Sequence, residues 1–342
     1  MIAPLRLRLN SHALVANWRA LDRMSGAAAC GAAIKANGYG LGARGVASRL
    51  AEAGGRDFFV ANWAEAAALA DLELDVAVLH GVRAEDMALA LSGVARPVLN
   101  SAAQVARWRA AGGGRCDVMV DTGINRLGVA PHEVLEGLLD GLQIDTLLSH
   151  LACADDDSPL NARQAAAFRA LDGRTGARRL SLANSAGIAL GPDYLFDLTR
   201  PGLALYGGVA RGELAGVVQQ VAMPEAQILQ RRTLAAGDSI GYNALYTARV
   251  PMEVAILNIG YADGYWRGFS NHGVARAGDA ALPVVGRVSM DLTAIAVDAA
   301  PELREGDWVA LEYTLPAAAA ASGMSQYELL TGLGARFERV WG

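Results

Sequence analysis

Between residues 30 and 202, short apolar runs alternate eight times with longer alanine- and leucine-rich stretches. The runs are GAAIKA (31–36), DFFVAN (57–62), VAVLHG (76–81), ARPVLN (95–100), CDVMVD (116–121), DTLLSHLA (145–152), RRLSLANS (178–185) and DLTRPG (197–202). Parallel strands are buried on both faces, so they read as continuous apolar runs, and each needs a crossover long enough for a helix. Eight such units predict an α/β fold of the closed (β/α)8 TIM-type barrel kind rather than an open doubly wound sheet. Neither G-x-G-x-x-G after the first strand nor G-K-[ST] occurs, which weakens nucleotide-binding alternatives. Past about residue 222 the texture changes to extended segments broken by Gly-Asp turns, the pattern of a C-terminal all-β domain. The expected division is a barrel over 11–222 and a β-strand domain over 223–342, the latter joined by the N-terminal strand 1–10. A helix is expected to begin near Ser11, and the alanine tract PAAAAASGM (316–324) reads as a loop.

The C-terminal ends of the eight runs deliver Lys35, Asn62, His80, Asn100, Asp121, His150, Asn184 and Arg200. Barrels of this class carry their active sites on that face. Polar residues commonly end strands, which accounts for the asparagines more easily than for a lysine, two histidines and an arginine together. Of the 30 basic residues only one is a lysine, Lys35, leaving 29 arginines. Arginine keeps its proton near neutral pH; a desolvated lysine amine can lose it and attack a carbonyl. The apolar strand leading into Lys35 lowers its amine pKa, and glycines 38, 40 and 42 let backbone approach a bulky ligand. Tyr39 lies among them with a hydroxyl suited to a phosphate. Ser185 precedes a short helix and reads as an N-cap or an anion contact.

The formal net charge of −5 without a basic cluster argues against nucleic acid. No apolar run reaches membrane-spanning length, and MIAPLRLRLN has no apolar core or cleavage site of a signal peptide. Three cysteines without C-x-x-C point to a reducing, cytoplasmic setting.

AAIKANGYGLG closely resembles the pyridoxal phosphate (PLP) lysine motif of the alanine racemase family, which has fold type III. DTGINRLG (121–128), LSHLACAD (148–155), ANSAG (183–187), RPGLALYG (200–207), GYADGY (260–265), GRVSMD (286–291) and SQYELL (325–330) continue the resemblance in the family's order. It implies interconversion of L- and D-alanine by two bases, supplying D-alanine for peptidoglycan or allowing its breakdown. Lys35 resembles the lysine that holds PLP. Tyr261 resembles the base on the opposite face, contributed by the neighbouring subunit of a homodimer with shared active sites. Arg200 is similar to the arginine that meets the pyridine nitrogen, and His150 to a histidine that contacts that arginine. Tyr39, Asn184, Ser185, Gly202, Leu203 and Tyr327 match positions around the cofactor phosphate. Arg126, Met290 and Asp291 match positions that receive the amino acid substrate, with the Met290 N–H meeting its carboxylate.

One position departs from the family. Many members carry a carbamylated lysine where this chain has Met119, so Arg126 must be oriented by another group, a bound anion or Asn125. Three rival readings stand beside this one: a serine or broad-specificity racemase of the same fold, a non-catalytic PLP-binding barrel, and a PLP decarboxylase. The non-catalytic barrels lack the C-terminal domain, and the decarboxylases' cysteine-containing C-terminal motif is absent here. A divalent-metal site built from His80, Asp121 and His150 is geometrically conceivable, but it leaves Lys35 and the C-terminal motifs unexplained, so no metal is expected.

Overall fold

The computed structural model describes residues 3–342, so Met1 and Ile2 of the N-terminal segment lie outside it. The chain forms two compact units, one of Leu14–Gln219 and one that joins the N-terminal residues through Ala13 to Gln220–Gly342.

The first unit is the barrel. Strands Ala32–Ala33, Asp57–Val60, Asp75–Val78, Arg96–Leu99, Cys116–Met119, Ile144–Leu148 and Arg179–Ser181 pair in that order, all parallel. The ring closes through Leu198–Thr199, which pairs in parallel with Ala29–Cys30 and bonds to its other neighbour from Arg200 N to Ala183 O at 2.8 Å. Two further amides sew this seam, Gly31 N to Thr199 O at 2.9 Å and Ala33 N to Pro201 O at 2.8 Å. Eight apolar runs thus become eight positions in one closed sheet, buried outside by the helices between them and inside by the side chains that fill the barrel.

The strand N-termini carry a ring of opposite charges. Arg179 spans Asp57 (2.7 Å) and Asp145 (2.8 Å), and Asp145 also receives Arg115 (2.8 Å) and Arg178 (3.1 Å). Arg96 bonds Asp117 through Nε at 2.8 Å and also pairs with Asp75. Guanidinium forks suit such buried carboxylates better than a point-charge ammonium does. Asp117 is fully enclosed with Oδ2 unpartnered, and burial pushes its carboxyl up to about 6 against the pull of Arg96.

The second unit is built on the long strand Ala222–Leu234. It pairs antiparallel with Leu5–Leu9 and Trp308–Leu311 through its first half and with Met252–Leu257 through its second, the last ladder carrying a register shift between Ile228 and Gln230. Glu338–Trp341 lies parallel to Leu5–Leu9 at the sheet edge. The alanine tract is not a loop. Leu315–Ser322 is a helix, with a proline in its first turn and Gly323 in the left-handed conformation that ends it. Alanine has the highest helix propensity, and here it decided the outcome.

Candidate active site

Lys35 opens a turn of opposite hand to an ordinary helix. Ala36, Asn37, Gly38, Tyr39 and Gly40 all have positive φ, from 53° to 84°. Each non-glycine residue there costs roughly 1–2 kcal/mol, so the turn must be held from outside. Gly38 N bonds Ile34 O (2.8 Å), Gly40 N bonds Ala36 O (2.9 Å), and the Asn37 side chain accepts from Ala43 N (3.0 Å). Glu65 adds the longest-range tie. One carboxylate oxygen accepts from Ala36 N and the other from Ala61 N, both at 2.7 Å. Burial lowers the Lys35 pKa, Arg126 and Arg200 lower it further, and Glu65 pulls the other way.

Arg200 is buried at the end of the last barrel strand. Its terminal nitrogens reach Ser181 Oγ and Ser149 O, the latter at 2.6 Å, which leaves Nε without an acceptor among the described residues. Burial lowers its pKa to about 10, partly offset by Asp117, so it remains a cation at neutral pH. The expected contact with His150 is not a hydrogen bond: none joins their side chains among the described residues. His150 acts here as a neighbouring neutral ring. Burial and the charges of Arg200, Arg126 and Lys35 hold it down to about 3. Gln164 fixes its backbone, donating to His150 O at 3.0 Å and accepting from Ala152 N at 2.9 Å.

Beside this lies a small polar cradle. Asn184, not Ser185, caps the helix Ser185–Ala189, accepting from Gly187 N at 2.8 Å. That frees the Ser185 hydroxyl, which accepts from Gly202 N (2.9 Å) and Ala204 N (3.1 Å). The Gly202 amide is therefore engaged with Ser185, while Leu203 N has no protein acceptor among the described residues. A Cβ at Gly202 would collide with the Tyr39 hydroxyl, so backbone and phenol share one small space. Tyr39 stacks on Tyr206 at 4.7 Å, and Tyr206 is anchored to Ala33 O at 2.9 Å.

On the opposite side of the barrel mouth, Asp121 shapes the loop that presents Arg126. Its carboxylate accepts from Gly123, Asn125 and Arg126 amides at 2.8–3.1 Å. Burial opposes ionisation, yet these amides hold its pKa below the usual carboxylate range. Arg126 is exposed and has no ion-pair partner among the described residues; Asn125 is not bonded to its guanidinium. Met119 is buried on the strand before the loop. His80, Asp121 and His150 do not gather, and no group of three metal-type ligands occurs among the described residues.

The second unit carries Tyr261, Met290, Asp291 and Tyr327. Two adjoining loops hold the first three, through Tyr261 N to Ser289 O and Ala262 N to Met290 O, both 3.0 Å. Arg267 lies over the Tyr261 ring at 4.8 Å. Met290 is exposed, whereas Asp291 is paired with Arg336 at 2.7 Å. Tyr327 is on the helix Gln326–Thr331, more than a third exposed.

The profile "Alanine racemase, N-terminal domain" matches residues 9–210, and "Alanine racemase, C-terminal domain" matches residues 221–341. The chain belongs to the alanine racemase family. It is an enzyme, an isomerase acting on amino acids. A biosynthetic alanine racemase of Agrobacterium fabrum is 40% identical, over 99% of this chain and 94% of its own length. A catabolic alanine racemase of the same organism is 39% identical over 98% and 91%. The crystal structure of alanine racemase from Bartonella henselae, with covalently bound pyridoxal phosphate, has a TM-score of 0.91 at 33% identity and covers 100% of both chains.

Within this alanine racemase scaffold, three site residues escaped the sequence reading. Glu65 follows Asn62 by three and looks only like part of a helix start; its bond to Ala36, 29 residues away, is a tertiary fact. Ser181 and Arg336 carry no distinguishing local pattern in a chain this rich in arginine.

Proposed function

We propose that the enzyme interconverts L- and D-alanine with PLP held on Lys35. The observation that carries this reading is the chain's only lysine, its amine depressed by burial and two arginines, at the barrel face. The residues present suit the cofactor. Gly202 leaves no room for a side chain beside the Tyr39 hydroxyl, and the Leu203 amide and Ser185 hydroxyl lie where a phosphate could be received. Arg200 has an uncommitted Nε to offer the ring nitrogen, and a guanidinium that stays protonated leaves that nitrogen unprotonated. When bound, PLP supplies an electron sink for the α-carbon of the amino acid.

The chain's own groups supply the rest. The Lys35 amine takes or returns the α-proton on one face. Tyr261 of a partner subunit does so on the other, and inversion requires both. Arg126 and the amide of Met290 of the partner subunit hold the carboxylate, so the α-carbon stays between the two bases. Tyr39 and Tyr327 are assigned to the phosphate by the family resemblance alone, and His150 acts only as a neutral neighbour of Arg200. The GYADGY and GRVSMD segments, folded against each other, support a catalytic rather than merely cofactor-binding protein. We read the enzyme as a cytoplasmic homodimer; no helix among the described residues is long and apolar enough to cross a membrane.

Borohydride reduction of the coloured holoenzyme should fix one pyridoxyl group per chain on the Lys35 peptide. Recovery of fully unlabelled Lys35 overturns the assignment. A chirality assay over single L-amino acids then separates alanine from serine or broader substrates. Lys35→Ala and Tyr261→Phe chains, each inactive, should regain activity when mixed if each site draws on two subunits. Relatives of both biosynthetic and catabolic type stand at 40% and 39% identity, so D-alanine supply for peptidoglycan and D-alanine breakdown are separated by a growth test, rescue of a D-alanine auxotroph against growth on D-alanine.

A further inference from the structure

Tyr261 and Met290 sit on two adjoining loops already joined by two backbone hydrogen bonds, and one side chain grips both. Arg336 bonds Asp263 through Nε at 2.6 Å and Nη2 at 2.8 Å, and its third nitrogen bonds Asp291 at 2.7 Å. Asp263 lies two residues after Tyr261 and is 1% exposed. Its carboxylate also accepts from Gly260 N at 3.0 Å, and its carbonyl accepts from Gly334 N at 3.1 Å. Asp291 directly follows Met290. The fork therefore fixes the loop before and after Tyr261 and the loop that presents the Met290 amide, all from the C-terminal segment. The two loops are packed tightly enough that a Cβ at Gly260 would overlap the Met290 carbonyl. Arg267 stands over the Tyr261 ring face rather than on its loop backbone.

We propose that Arg336 is a positioning residue for the racemisation: it sets where the Tyr261 hydroxyl and the Met290 amide stand. Asp291 is then a tether for Met290 rather than a group that meets substrate. The proposal rests on the two-base reading above. A lysine cannot replace the fork, because an ammonium is a point charge that cannot present three fixed donors to three oxygens.

The test separates exchange from inversion. In D2O, with the alanine antipode whose α-proton faces Lys35 as substrate, the Lys35 amine can remove that proton, release it to solvent and return a deuteron to the same face. The product is deuterated alanine of unchanged handedness. Inversion needs the return from Tyr261. Arg336→Met and Arg336→Lys should lower racemisation roughly ten- to a hundredfold, as for displacement of a catalytic group by about an ångström. Same-face exchange should persist, so its ratio to inversion rises. Pyridoxyl incorporation on reduction should stay at one per chain, and amide exchange of Gly260, Ala262 and Gly334 should quicken even without PLP. Arg336→Met and Asp291→Asn should be non-additive in that amide exchange. Equal loss of exchange and inversion, or amide exchange and ratio both as in the parent enzyme, overturns the proposal. Should Arg336→Met fail to fold, Arg336→Lys carries the same measurements. Tyr261→Phe is the control. If it racemises normally, the two-base reading itself fails; if it exchanges without inverting while the Arg336 variants do not, only the role of Arg336 fails.

Discussion

Gly202→Ala adds one methyl group at the most crowded point of the cradle. Its φ of −128° lies outside the left-handed region, so left-handed strain plays no part. The new Cβ would stand 2.9 Å from Tyr39 Cζ, with the hydroxyl nearer still, where contact needs about 3.4 Å. Tyr39 cannot retreat along the stack, because Tyr206 behind it is fully buried and bonded to Ala33 O. The phenol must swing away or the Gly202–Leu203 backbone must shift. Overpacking of this kind costs about 1–3 kcal/mol. If the cradle receives the cofactor phosphate, that cost appears as PLP affinity weakened roughly 5- to 150-fold, since each 1.4 kcal/mol is about tenfold. Equilibrium dialysis of the apoenzyme with PLP reads the affinity, and circular dichroism checks that the barrel is intact. Parent-like affinity in a folded Gly202→Ala protein would refute the assignment of this cradle to the phosphate.

Three other outcomes are expected. With lysine alone carbon-13 labelled, the chain gives one side-chain titration, which should fall below the ordinary 10.5. Because the folded pKa is the lower one, stability should rise with pH between that value and 10.5; Arg126→Ala should raise the titration and Glu65→Gln lower it, whereas an unshifted curve contradicts the buried-amine reading. Asp145→Asn leaves Arg179 and Arg96 short of a partner at the barrel floor and should destabilise the protein by about 3 kcal/mol, read as a lowered urea midpoint; no change would mean the ring is stability-neutral. Arg126 lacks a counter-charge, and Met119 supplies none, so activity should follow halide concentration at fixed ionic strength but not bicarbonate; a flat titration instead favours orientation by a neighbouring side chain.

The eight barrel strands were legible because parallel strands are apolar on both faces and leave uninterrupted runs. Their C-terminal residues were legible for the same reason: a lysine or arginine closing such a run stands out. The helix Leu315–Ser322 was not, since five alanines show no periodicity and the informative residues were Pro316 in its first turn and its C-cap, Gly323. The left-handed turn was half-visible. Glycines 38 and 40 announce unusual backbone, but Ala36, Asn37 and Tyr39 hold the same conformation with side chains that disfavour it. Their conformation is imposed by Glu65 and neighbouring amides, contacts that residue type does not encode. The role of Ser185 stayed open between cap and anion contact because Asn184 and Ser185 are equally good cap candidates, and only the bond to Gly187 distinguishes them.

The seam of the barrel has a consequence for how the enzyme is made. Strand Ala29–Cys30 closes against Leu198–Thr199, which emerge from the ribosome some 170 residues later. The lysine stands on one lip of that seam; Arg200, Gly202 and Tyr206 stand on the other. A nascent chain with six or seven strands already has its amine but neither Arg200 nor the Gly202–Leu203 amides of the cradle. If PLP is held as proposed, its capture cannot guide early folding and instead reports its completion. A chain stalled before residue 198 should then show no tight, lysine-specific capture of PLP at low cofactor concentration, and capture becomes possible only once the chain has passed residue 206 and closed its barrel. Cells short of the cofactor would then accumulate closed but unclasped barrels rather than unfolded chains, a pool that vitamin supply could rescue without new synthesis.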